Sequence, residues 1–565
     1  MRKHGRHSVW LMGAALIVGA FSGRGFAQCE TRPATAAEFR KTVLVSNTAY
    51  PMELAVAPDG SVFFAEKNGK LKRHVPGGTV SEVLSLDVVT HVFLGNGYGL
   101  SGLTLDPDFA RNGWIYLFYF PDSFREPELR GRLSRFTFRA GAVDKNTEKI
   151  LLEIPYNGFD HAGGSLRFDQ AGHLFLSTGD DTNPVQVNPV NWAGGAGFNC
   201  LQGKDCSFDA ARTAGNTDDL RGKILRMTPI PFPDSETRTP GIGATYSIPP
   251  GNLFPPGTDS TRPEIYTMGH RNAFRFALDD KTGWLFMGDP GSYPSSSLQS
   301  KYPDIPYGYD EYNIAAGPGF HGWPFFTADN KPYAPLDFKA NTLTGPFWKP
   351  AEPVFNASPR NTGLKKLPLP VPASMYLVGF GTNAYSHDFF KNHRVCAPIS
   401  GPVYRYRSYG NSSAKLPPYY DGKWLITSSG ADFFAFASFN ASGVVTQIES
   451  FPLTGLSTSV LDVELGPEGA LYFASYDPGT IFKVEYRGTC LPVVSLAQGR
   501  GEARPAGRLL GPAASFIRFP PFSQSVVLTD LQGRRVWTGR RQAGEGERGV
   551  LPAPMRGKLY LADFH

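Results

Sequence analysis

The chain has 565 residues, 41% of them hydrophobic, which is enough for a large core and too long for one small domain. Its net charge of +6 is modest and its basic residues are scattered, which argues against nucleic-acid binding. A content of 63 Gly and 48 Pro, with 13% aromatic residues, argues against a helix bundle and favours many short strands joined by turns.

The N-terminal segment has the pattern of a secretory signal peptide. Basic residues are followed by an apolar run over 9–21, and the sequence FAQ at 26–28 offers a cleavage point after Ala27. The run is too short to span a membrane, and we find no later span. We therefore expect 1–27 to be a signal peptide and the protein to be secreted. Cys29 leaves lipoprotein attachment open, although FAQ is a poor lipobox.

Export makes disulfide bonds possible, and the chain has five cysteines. Cys200 and Cys206 flank a short polar loop that they could close. Cys29 and Cys490 flank most of the chain and could join its ends, which leaves Cys396 over. Spacing does not determine connectivity, so other pairings stay open.

A degenerate repeat follows in chain order. Its unit is an apolar patch, a turn rich in Asp, Asn and Gly, and an alternating run, which together predict two strands joined by a turn. The copies lie at 52–66, 100–120, 164–181, 273–291 and 461–476. Such units need neighbours to cover their faces, and a closed ring supplies them, so we expect a β-propeller. A series of β-sandwiches or a solenoid is the alternative.

Three other segments differ from the repeat. Residues 293–370 have few strand signals and many Pro, Gly and aromatic residues, which predicts a long ordered loop over one face. Residues 491–512 are rich in Gly, Arg and Ala, as a linker is. Short β-runs within 513–565 predict a small C-terminal β-sandwich-like module, so the fold class is all-β throughout.

The first candidate site is at the start of the third copy, where Asp160 and His161 stand side by side. Asp180 falls at the end of the strand that should follow. A neutral imidazole can accept a proton, and a carboxylate behind it fixes its tautomer. Strand ends of this kind lie at the mouth of a propeller channel, so these residues are candidates for catalysis. On the residues alone, the alternative is a turn capped by aspartates with a space-filling His161.

The second candidate site is Arg271 with Asn272, at the matching position of the next copy. Arginine offers a planar fork of donors that suits carboxylates, and asparagine offers a donor and an acceptor. The pair suits an acidic organic ligand, and a surface salt bridge with a turn residue is the alternative. The sequence has no zinc-type cluster, phosphate-binding Gly-Lys loop or Gly-x-Ser-x-Gly motif.

An ordered set of runs resembles the soluble pyrroloquinoline-quinone (PQQ)-dependent glucose/sorbosone dehydrogenases. The resemblance covers most of 40–490 and implies a six-bladed β-propeller that binds cofactor and sugar at the mouth of its ring. The runs are GLSGLTLDPDF (99–109), DHAGGSLRF (160–168), LSTGDD (176–181), GHRNAFRF (269–276), GYDEYN (308–313), GFHGWPFF (319–326), SGPVYRY (400–406) and DVELGPEGALY (462–472).

The resemblance implies a catalytic role for His161. It would be the general base that takes a proton from a sugar hydroxyl while hydride passes to PQQ, and an external acceptor would then receive the electrons. Asp180 matches the carboxylate that supports this base, and Asp160 stands beside it in the motif. The implied substrate is a sugar or sugar alcohol of the aldose type.

The resemblance also implies how the cofactors are held. Arg271 and Asn272 match residues that hold the oxygens of the quinone. A calcium ion in the family joins PQQ to backbone carbonyls in the turn after this strand, which makes Gly291 and Ser292 the nearest candidates for the metal.

The sequence departs from the family pattern at three points. A glutamine is missing from 95–102, another is replaced near Phe274, and 423–436 contains no arginine to hold the carboxylates of PQQ. Arg394 and Lys423 are candidate replacements. These departures support the alternative function, a non-catalytic propeller that binds carbohydrate or protein at the same mouth.

The C-terminal segment 527–565 has a separate resemblance. It is similar to the sorting domains of bacterial type IX secretion substrates, which carry a similar Asp-x-x-Gly-Arg-x-Val turn followed by a final Gly-x-Tyr strand. Here the turn is DLQGRRV (530–536) and the last run is GKLYLADFH (557–565). This similarity implies delivery to the cell surface or medium by the type IX machinery. The alternative is a module that packs on the propeller.

Overall fold

The structure is a computed structural model that divides into two compact units, Met1–Cys490 and Leu491–His565. In the first unit it describes residues 32–90, 97–122, 129–157, 160–182, 209–292, 296–337, 342–378, 384–393, 397–430 and 433–488. In the second unit it describes strands alone. The expected signal peptide and all five cysteines lie outside the described residues.

Among the described residues of the first unit, six sheets form the ring, which confirms the all-β class and the six-bladed propeller. Five of these sheets have four antiparallel strands, and the sheet of blade 3 has six strands, four of which form the antiparallel blade. We number them blades 1 to 6 in chain order. Blade 1 consists of β2 (Pro51–Val56), β3 (Val62–Glu66), β4 (Lys70–His74) and β5 (Val80–Ser85). Blade 2 consists of β6 (Leu100–Leu105), β7 (Trp114–Tyr119), β8 (Arg130–Arg139) and β9 (Ala142–Pro155). Blade 3 consists of β10 (Leu166–Phe168), β11 (Leu174–Thr178), β12 (Lys223–Pro229) and β14 (Ile265–Met268).

Blade 6 closes the ring with a strand from each end of the unit, since β1 (Phe39–Ser46) pairs with the last strand. Blade 4 consists of β15 (Arg275–Leu278), β16 (Leu285–Asp289), β17 (Tyr309–Ala315) and β23 (Met375–Val378). Blade 5 consists of β24 (Pro398–Val403), β25 (Trp424–Ser428), β26 (Phe434–Phe439) and β27 (Val445–Ser450). Blade 6 consists of β28 (Val460–Leu465), β29 (Leu471–Ser475), β30 (Thr480–Tyr486) and β1.

The first strand of each blade faces the centre of the ring. β2 contacts β6 and β28, and contacts continue from β6 to β10, β15, β24 and back to β28. The second strand of a blade packs on both faces, so β3, β11, β16, β25 and β29 are buried along their whole length. This explains why these strands read as apolar runs, whereas the outer β5 and β27 carry exposed residues.

The hydrophobic core is divided into layers between neighbouring blades. Phe63 of blade 1 shares a cluster with Leu103 of blade 2, and Leu54 of blade 1 shares one with Tyr472 of blade 6. Comparable clusters fill the other four junctions. Each sheet therefore covers the apolar face of the next one, as the repeat requires.

Charged side chains join the innermost strands inside the ring. The carboxylate of Glu53 accepts a hydrogen bond from the backbone N–H of Leu103 at 2.6 Å and from Arg167 at 2.7 Å. Asp462 accepts one from the backbone N–H of Leu54 at 2.8 Å and another from Arg167 at 3.1 Å. We call Glu53, Arg167, Arg275, Asp462 and Glu464 the channel ion cluster.

The expectation of a loop over 293–370 is wrong in part. This region contains β17, the third strand of blade 4, whose seven residues pair with both β16 and β23. It also contains a helix at Ser296–Lys301. Five two-residue strands complete the region: β18 (Gly319–Phe320), β19 (Phe326–Thr327), β20 (Lys331–Pro332), β21 (Leu336–Asp337) and β22 (Thr342–Leu343).

Short elements also extend blade 3 and connect the blades. β13 (Tyr246–Ser247) pairs with β12, and β18 runs parallel to β14. A four-residue helix lies at Phe109–Asn112, and single 3₁₀ turns lie at Ala36–Glu38, Ala210–Arg212, Asp388–Asn392, Tyr406–Tyr409 and Pro418–Tyr420.

The second unit contains a four-stranded sheet in the order β31, β36, β33, β34 and a two-stranded sheet of β32 and β35. Its strands are β31 (Arg508–Leu510), β32 (Phe516–Arg518), β33 (Ser525–Thr529), β34 (Arg535–Arg540), β35 (Arg548–Val550) and β36 (Tyr560–Phe564). Across the described parts of both units, no helix has the length and apolar character of a membrane span.

Candidate active site at the channel mouth

His161 and Asp180 meet at one edge of blade 3. His161 lies just before β10, and Asp180 lies just after β11, so the antiparallel pairing of these strands brings them together. Nδ1 of His161 lies 2.7 Å from Oδ1 of Asp180. His161 is 6% exposed and Asp180 is fully buried. Among the described residues, no hydrogen bond is made to Nε2 of His161, which leaves this nitrogen for a substrate.

Two glycines allow the turn that carries His161. Gly163 and Gly164 have φ values of 66° and 114°, a region that side chains rarely adopt. A Cβ at Gly164 would also lie 2.3 Å from Oγ of Ser101. His161 itself has a φ of 56°. The turn therefore holds the imidazole on a strained backbone supported by close packing.

The carboxylate of Asp180 is held in its charged form. Besides His161, it accepts hydrogen bonds from Oγ1 of Thr182 at 2.8 Å and from Nε1 of Trp323 at 2.9 Å. Burial acts to raise the pKa of Asp180, but His161, Arg271 and Trp323 outweigh it, so the pKa lies below its usual value. A charged carboxylate on Nδ1 keeps the proton of a neutral imidazole on that nitrogen and leaves Nε2 as the acceptor.

Asp160 binds backbone rather than the imidazole ring. Its Oδ1 accepts hydrogen bonds from the N–H of Gly97 at 3.1 Å and of His161 at 2.8 Å. It thereby joins the start of blade 3 to the segment before blade 2. Within the described part of the chain, no hydrogen bond links its carboxylate to the ring of His161.

Arg271 and Asn272 lie beside this pair, just before β15. The N–H of Asp180 donates to the carbonyl of Arg271 at 2.8 Å, and the side-chain carbonyl of Asn272 accepts a hydrogen bond from the N–H of Gly163 at 3.1 Å. The carboxylate of Asp289 receives the backbone N–H groups of Arg271 at 3.1 Å and of Asn272 at 2.7 Å. Blades 3 and 4 therefore bring four of the five predicted side chains, His161, Asp180, Arg271 and Asn272, to one edge, and Asp160 adjoins His161 there.

The guanidinium of Arg271 has donors to spare. Nε is buried and makes no hydrogen bond with the described residues, and NH1 is 3.5 Å from the carbonyl of Pro290. An anionic or quinone oxygen fits this environment. The ammonium of Lys423 already pairs with Glu449 and lies over the ring of Tyr419. Arg394 lies outside the described residues.

Gly291 and Ser292 lie in an acidic turn next to Arg271. The N–H of Gly291 donates to Asp310 at 2.8 Å, and Ser292 is fully buried. Asp289 stands opposite Glu311 across β16 and β17, and burial together with the Asp289 charge raises the pKa of Glu311 to about 8.

The donors near this turn fit calcium only through the backbone. Nowhere in the described ranges do three or more His, Cys, Asp or Glu side chains form a group able to hold a metal ion. A calcium ion at Gly291 and Ser292 would therefore depend on backbone carbonyls, which calcium accepts as ligands.

Trp323 and Asp289 belong to the site and were missed by sequence reasoning. Asp289 had a signal, since the Gly-Asp of 288–289 ends β16 and the Gly-Asp of 179–180 directly follows β11 in the preceding copy. Trp323 lies in the run GFHGWPFF, 143 residues from Asp180. Nothing in the spacing of the sequence connects the two.

The fold and the site define a class: six-bladed β-propellers with a histidine–carboxylate pair and an arginine–asparagine pair at one mouth of the ring. The glucose/sorbosone dehydrogenase family model matches residues 48–365, more than half of the chain. The chain belongs to this family.

Relatives in the family differ in what they do. The chain is 24% identical over 363 residues to quinoprotein glucose dehydrogenase B of Acinetobacter calcoaceticus, covering 60% of this chain and 64% of that protein. It is 25% identical over 251 residues to the human Hedgehog-interacting protein, covering 42% of this chain and 31% of that protein. It therefore spans less than two thirds of either relative.

A solved structure with the same fold is the soluble aldose sugar dehydrogenase of Escherichia coli in its apo form. The two share 20% sequence identity with a TM-score of 0.50, over 80% of this chain and all of the other. At this identity the likeness shows the fold alone.

Proposed function

We propose that the chain is a PQQ-dependent dehydrogenase that oxidises a hydroxyl group of an aldose-type sugar. The observation that carries this proposal is the pair of His161 and Asp180, with Nδ1 held at 2.7 Å and Nε2 left to accept a proton. The family of the chain and the free donors of Arg271 agree with it.

His161 acts as the general base in this proposal. Its Nε2 takes the proton of the sugar hydroxyl as the hydride leaves the same carbon, so that the carbon becomes a carbonyl. Asp180 keeps the other ring nitrogen protonated and stabilises the imidazolium that forms. Burial of both groups excludes water from the proton transfer.

Residues on the blade 4 side of the site would hold the cofactor. PQQ, when bound, would supply the acceptor for the hydride, with an external acceptor as the final oxidant. Arg271 and Asn272 would hold its oxygens through the unused guanidinium donors and the side-chain amide. The backbone carbonyls of Gly291 and Ser292 would hold calcium.

Reconstitution of the purified chain with PQQ and calcium tests the proposal. We expect PQQ binding by calorimetry and dye reduction with at least one aldose. His161→Ala should lower kcat by about 10²–10⁴-fold and leave PQQ binding unchanged. The matched control is His173→Ala, since His173 lies in the turn joining β10 to β11 and bonds Thr228 at 2.7 Å. Failure to bind PQQ would exclude the dehydrogenase function.

A non-catalytic propeller is the second candidate function. Lys423 is paired with Glu449, which removes one candidate partner for the carboxylates of PQQ. A relative named for binding a protein ligand agrees with this alternative. Two results together would establish this function. The wild-type chain and the His161→Ala variant would bind a sugar or protein at the mouth with equal affinity, and the wild-type chain would turn over no aldose.

We further propose that the protein is secreted, with 1–27 removed, 491–512 acting as a linker and 513–565 acting as a type IX sorting domain. The apolar run before Ala27 and the compact second unit support this. Deletion of 491–565 should leave the protein in the periplasm of its native host. Normal surface delivery of the truncated chain would exclude the sorting function.

A further inference from the structure

We propose that Trp323 is a positioning residue for the catalytic pair: its indole N–H holds the carboxylate of Asp180 in the orientation that keeps His161 ready to act as a base. This inference deepens the proposed dehydrogenase function and rests on it. It concerns a side chain from another part of the ring, 143 residues from Asp180 along the chain.

The two oxygens of Asp180 have different surroundings. Oδ1 receives Nδ1 of His161 at 2.7 Å, Oγ1 of Thr182 at 2.8 Å and the N–H of Thr182 at 3.1 Å. Oδ2 receives Nε1 of Trp323 at 2.9 Å, and no other described residue donates to it. The indole is therefore what fixes this second oxygen.

Loss of that one donor would have a large local effect. Asp180 is fully buried, so Oδ2 would be left without a partner, and such a loss has a substantial desolvation cost. The final torsion of an aspartate is broad, and a carboxylate held only through Oδ1 can rotate to satisfy its free oxygen. Such a rotation moves Oδ1 away from Nδ1 and releases the imidazole from its orientation.

Trp323 is itself held firmly. Its backbone N–H donates to the carbonyl of Gly269 at 3.1 Å, two residues before Arg271. Its ring meets that of Tyr333 edge to face, with centroids 6.0 Å apart, and packs with Ala210 and Ala214. The indole thus ties the base in blade 3 to the segment that leads into the cofactor side.

A purely structural role for Trp323 makes a different prediction. If the ring only fills space, Trp323→Phe should lower the free energy of unfolding and leave the imidazole of His161 unchanged. If the N–H positions Asp180, loss of the N–H alone should be enough to change the imidazole of His161. Substitution by 3-benzothienylalanine provides this case, since it keeps the shape of the indole and lacks the donor.

The experiment follows the Nδ1 proton of His161 by NMR in the full chain labelled with ¹⁵N-histidine, assigned through its absence in His161→Gln. We expect this resonance to shift or be lost to exchange in Trp323→Phe and in the benzothienyl variant. It should persist in Trp348→Phe, the matched control, whose ring packs against Phe325 at 5.0 Å in the same region. An unchanged resonance in the benzothienyl variant overturns the inference, even if Trp323→Phe fails to fold.

Kinetics provide the second readout. Both Trp323 variants should lower kcat by about tenfold or more while KM changes less than about twofold, because a positioning role acts through Asp180 and not on substrate binding. Equal falls in both constants, or none, contradict a positioning role. The NMR result does not need turnover, so an inactive wild-type chain would overturn the proposed function and still leave the role of Trp323 tested.

Discussion

Asp160 and Asp180 carry the same functional group and bind different partners. The sequence predicts both as supports for His161, because both flank it in the motif or on the next strand. Asp180 reaches the imidazole, whereas Asp160 accepts two backbone N–H groups. The two carboxylates should therefore respond differently to the same substitution.

We predict that Asp180→Asn lowers kcat by about 10²–10⁴-fold, because an amide can present its N–H₂ to Nδ1 and force the other tautomer. Asp160→Asn should keep its activity within a few fold, since the amide oxygen still accepts the hydrogen bonds of Gly97 and His161. The measurement is steady-state dye reduction with both variants loaded with PQQ. A larger loss for Asp160→Asn than for Asp180→Asn would contradict these assignments.

The pairing of His161 with Asp180 could be predicted from the sequence because it is local to one hairpin. Consecutive strands of a repeat place the start of one beside the end of the next. Trp323 could not be predicted, since it reaches Asp180 from a region with few strand signals. Contacts between blades depend on the curvature of the ring, and a short sequence motif does not predict that curvature.

The hairpin of β10 and β11 shows how an element positions the base. The run DHAGG contains two consecutive glycines. The structure shows why they are needed, because the turn that they form passes close to blade 2 and leaves no room for side chains. Gly164 lies against Ser101. Gly172, in the turn at the opposite end of the same hairpin, has open space where a Cβ would lie, with no neighbouring atom within 4 Å.

We predict that Gly164→Ala destabilises the protein by about 2–4 kcal/mol, because a positive φ and a steric clash add together. Gly172→Ala, with a φ of 81° and open space around it, should cost about 1 kcal/mol. Urea unfolding measures both values. Equal costs would mean that the backbone near Ser101 yields to the added methyl group.

Other elements were hidden from the sequence for physical reasons. The sixth copy of the repeat was missed because 404–423 separates β24 from β25, so no tight turn marks the pair. β17 was missed because polar residues, which make contacts with neighbouring segments, interrupt its apolar pattern. Glu311 in this strand accepts hydrogen bonds from the N–H of Ala328 at 2.6 Å and from Thr327 at 3.0 Å.

At the scale of the ring, the channel ion cluster joins strands that are distant in sequence. Arg275 of blade 4 donates to the carbonyls of Met52 at 2.6 Å and Ser101 at 3.3 Å, across the channel in blades 1 and 2. Glu53 and Asp462 are fully buried with Arg167 between them. Breaking such a network leaves buried charges unpaired, so it favours one closed arrangement of the blades.

The channel ion cluster has one more acidic group than basic groups, and we assign the unbalanced carboxyl group to Glu464. Three carboxylates face two guanidiniums, and Glu464 pairs with Arg167 at the wall of a cavity of about 250 Å³. Burial raises the pKa of Glu464 to about 8, Arg167 opposes the rise, and the charges of Asp462 and Glu53 add to it. Burial raises the pKa of Glu53 as well. We therefore expect these carboxylates of the folded protein to hold a proton that the unfolded chain releases near pH ~4.3.

We predict that Glu464→Gln removes a pH dependence of stability. A raised pKa stabilises the folded state fully below the unfolded value, and this contribution is lost as pH rises towards about 8, by at most about 1.4 kcal/mol per pH unit. Glutamine mimics the protonated form, so the variant should match the wild type near pH ~4 and become progressively more stable than it up to about pH 8. Unfolding free energies of both proteins across this range, extended about one pH unit above it, measure the difference. A difference that stays constant over the range would show that Glu464 is ionised throughout, in which case Arg167 rather than a bound proton balances the charge of the channel.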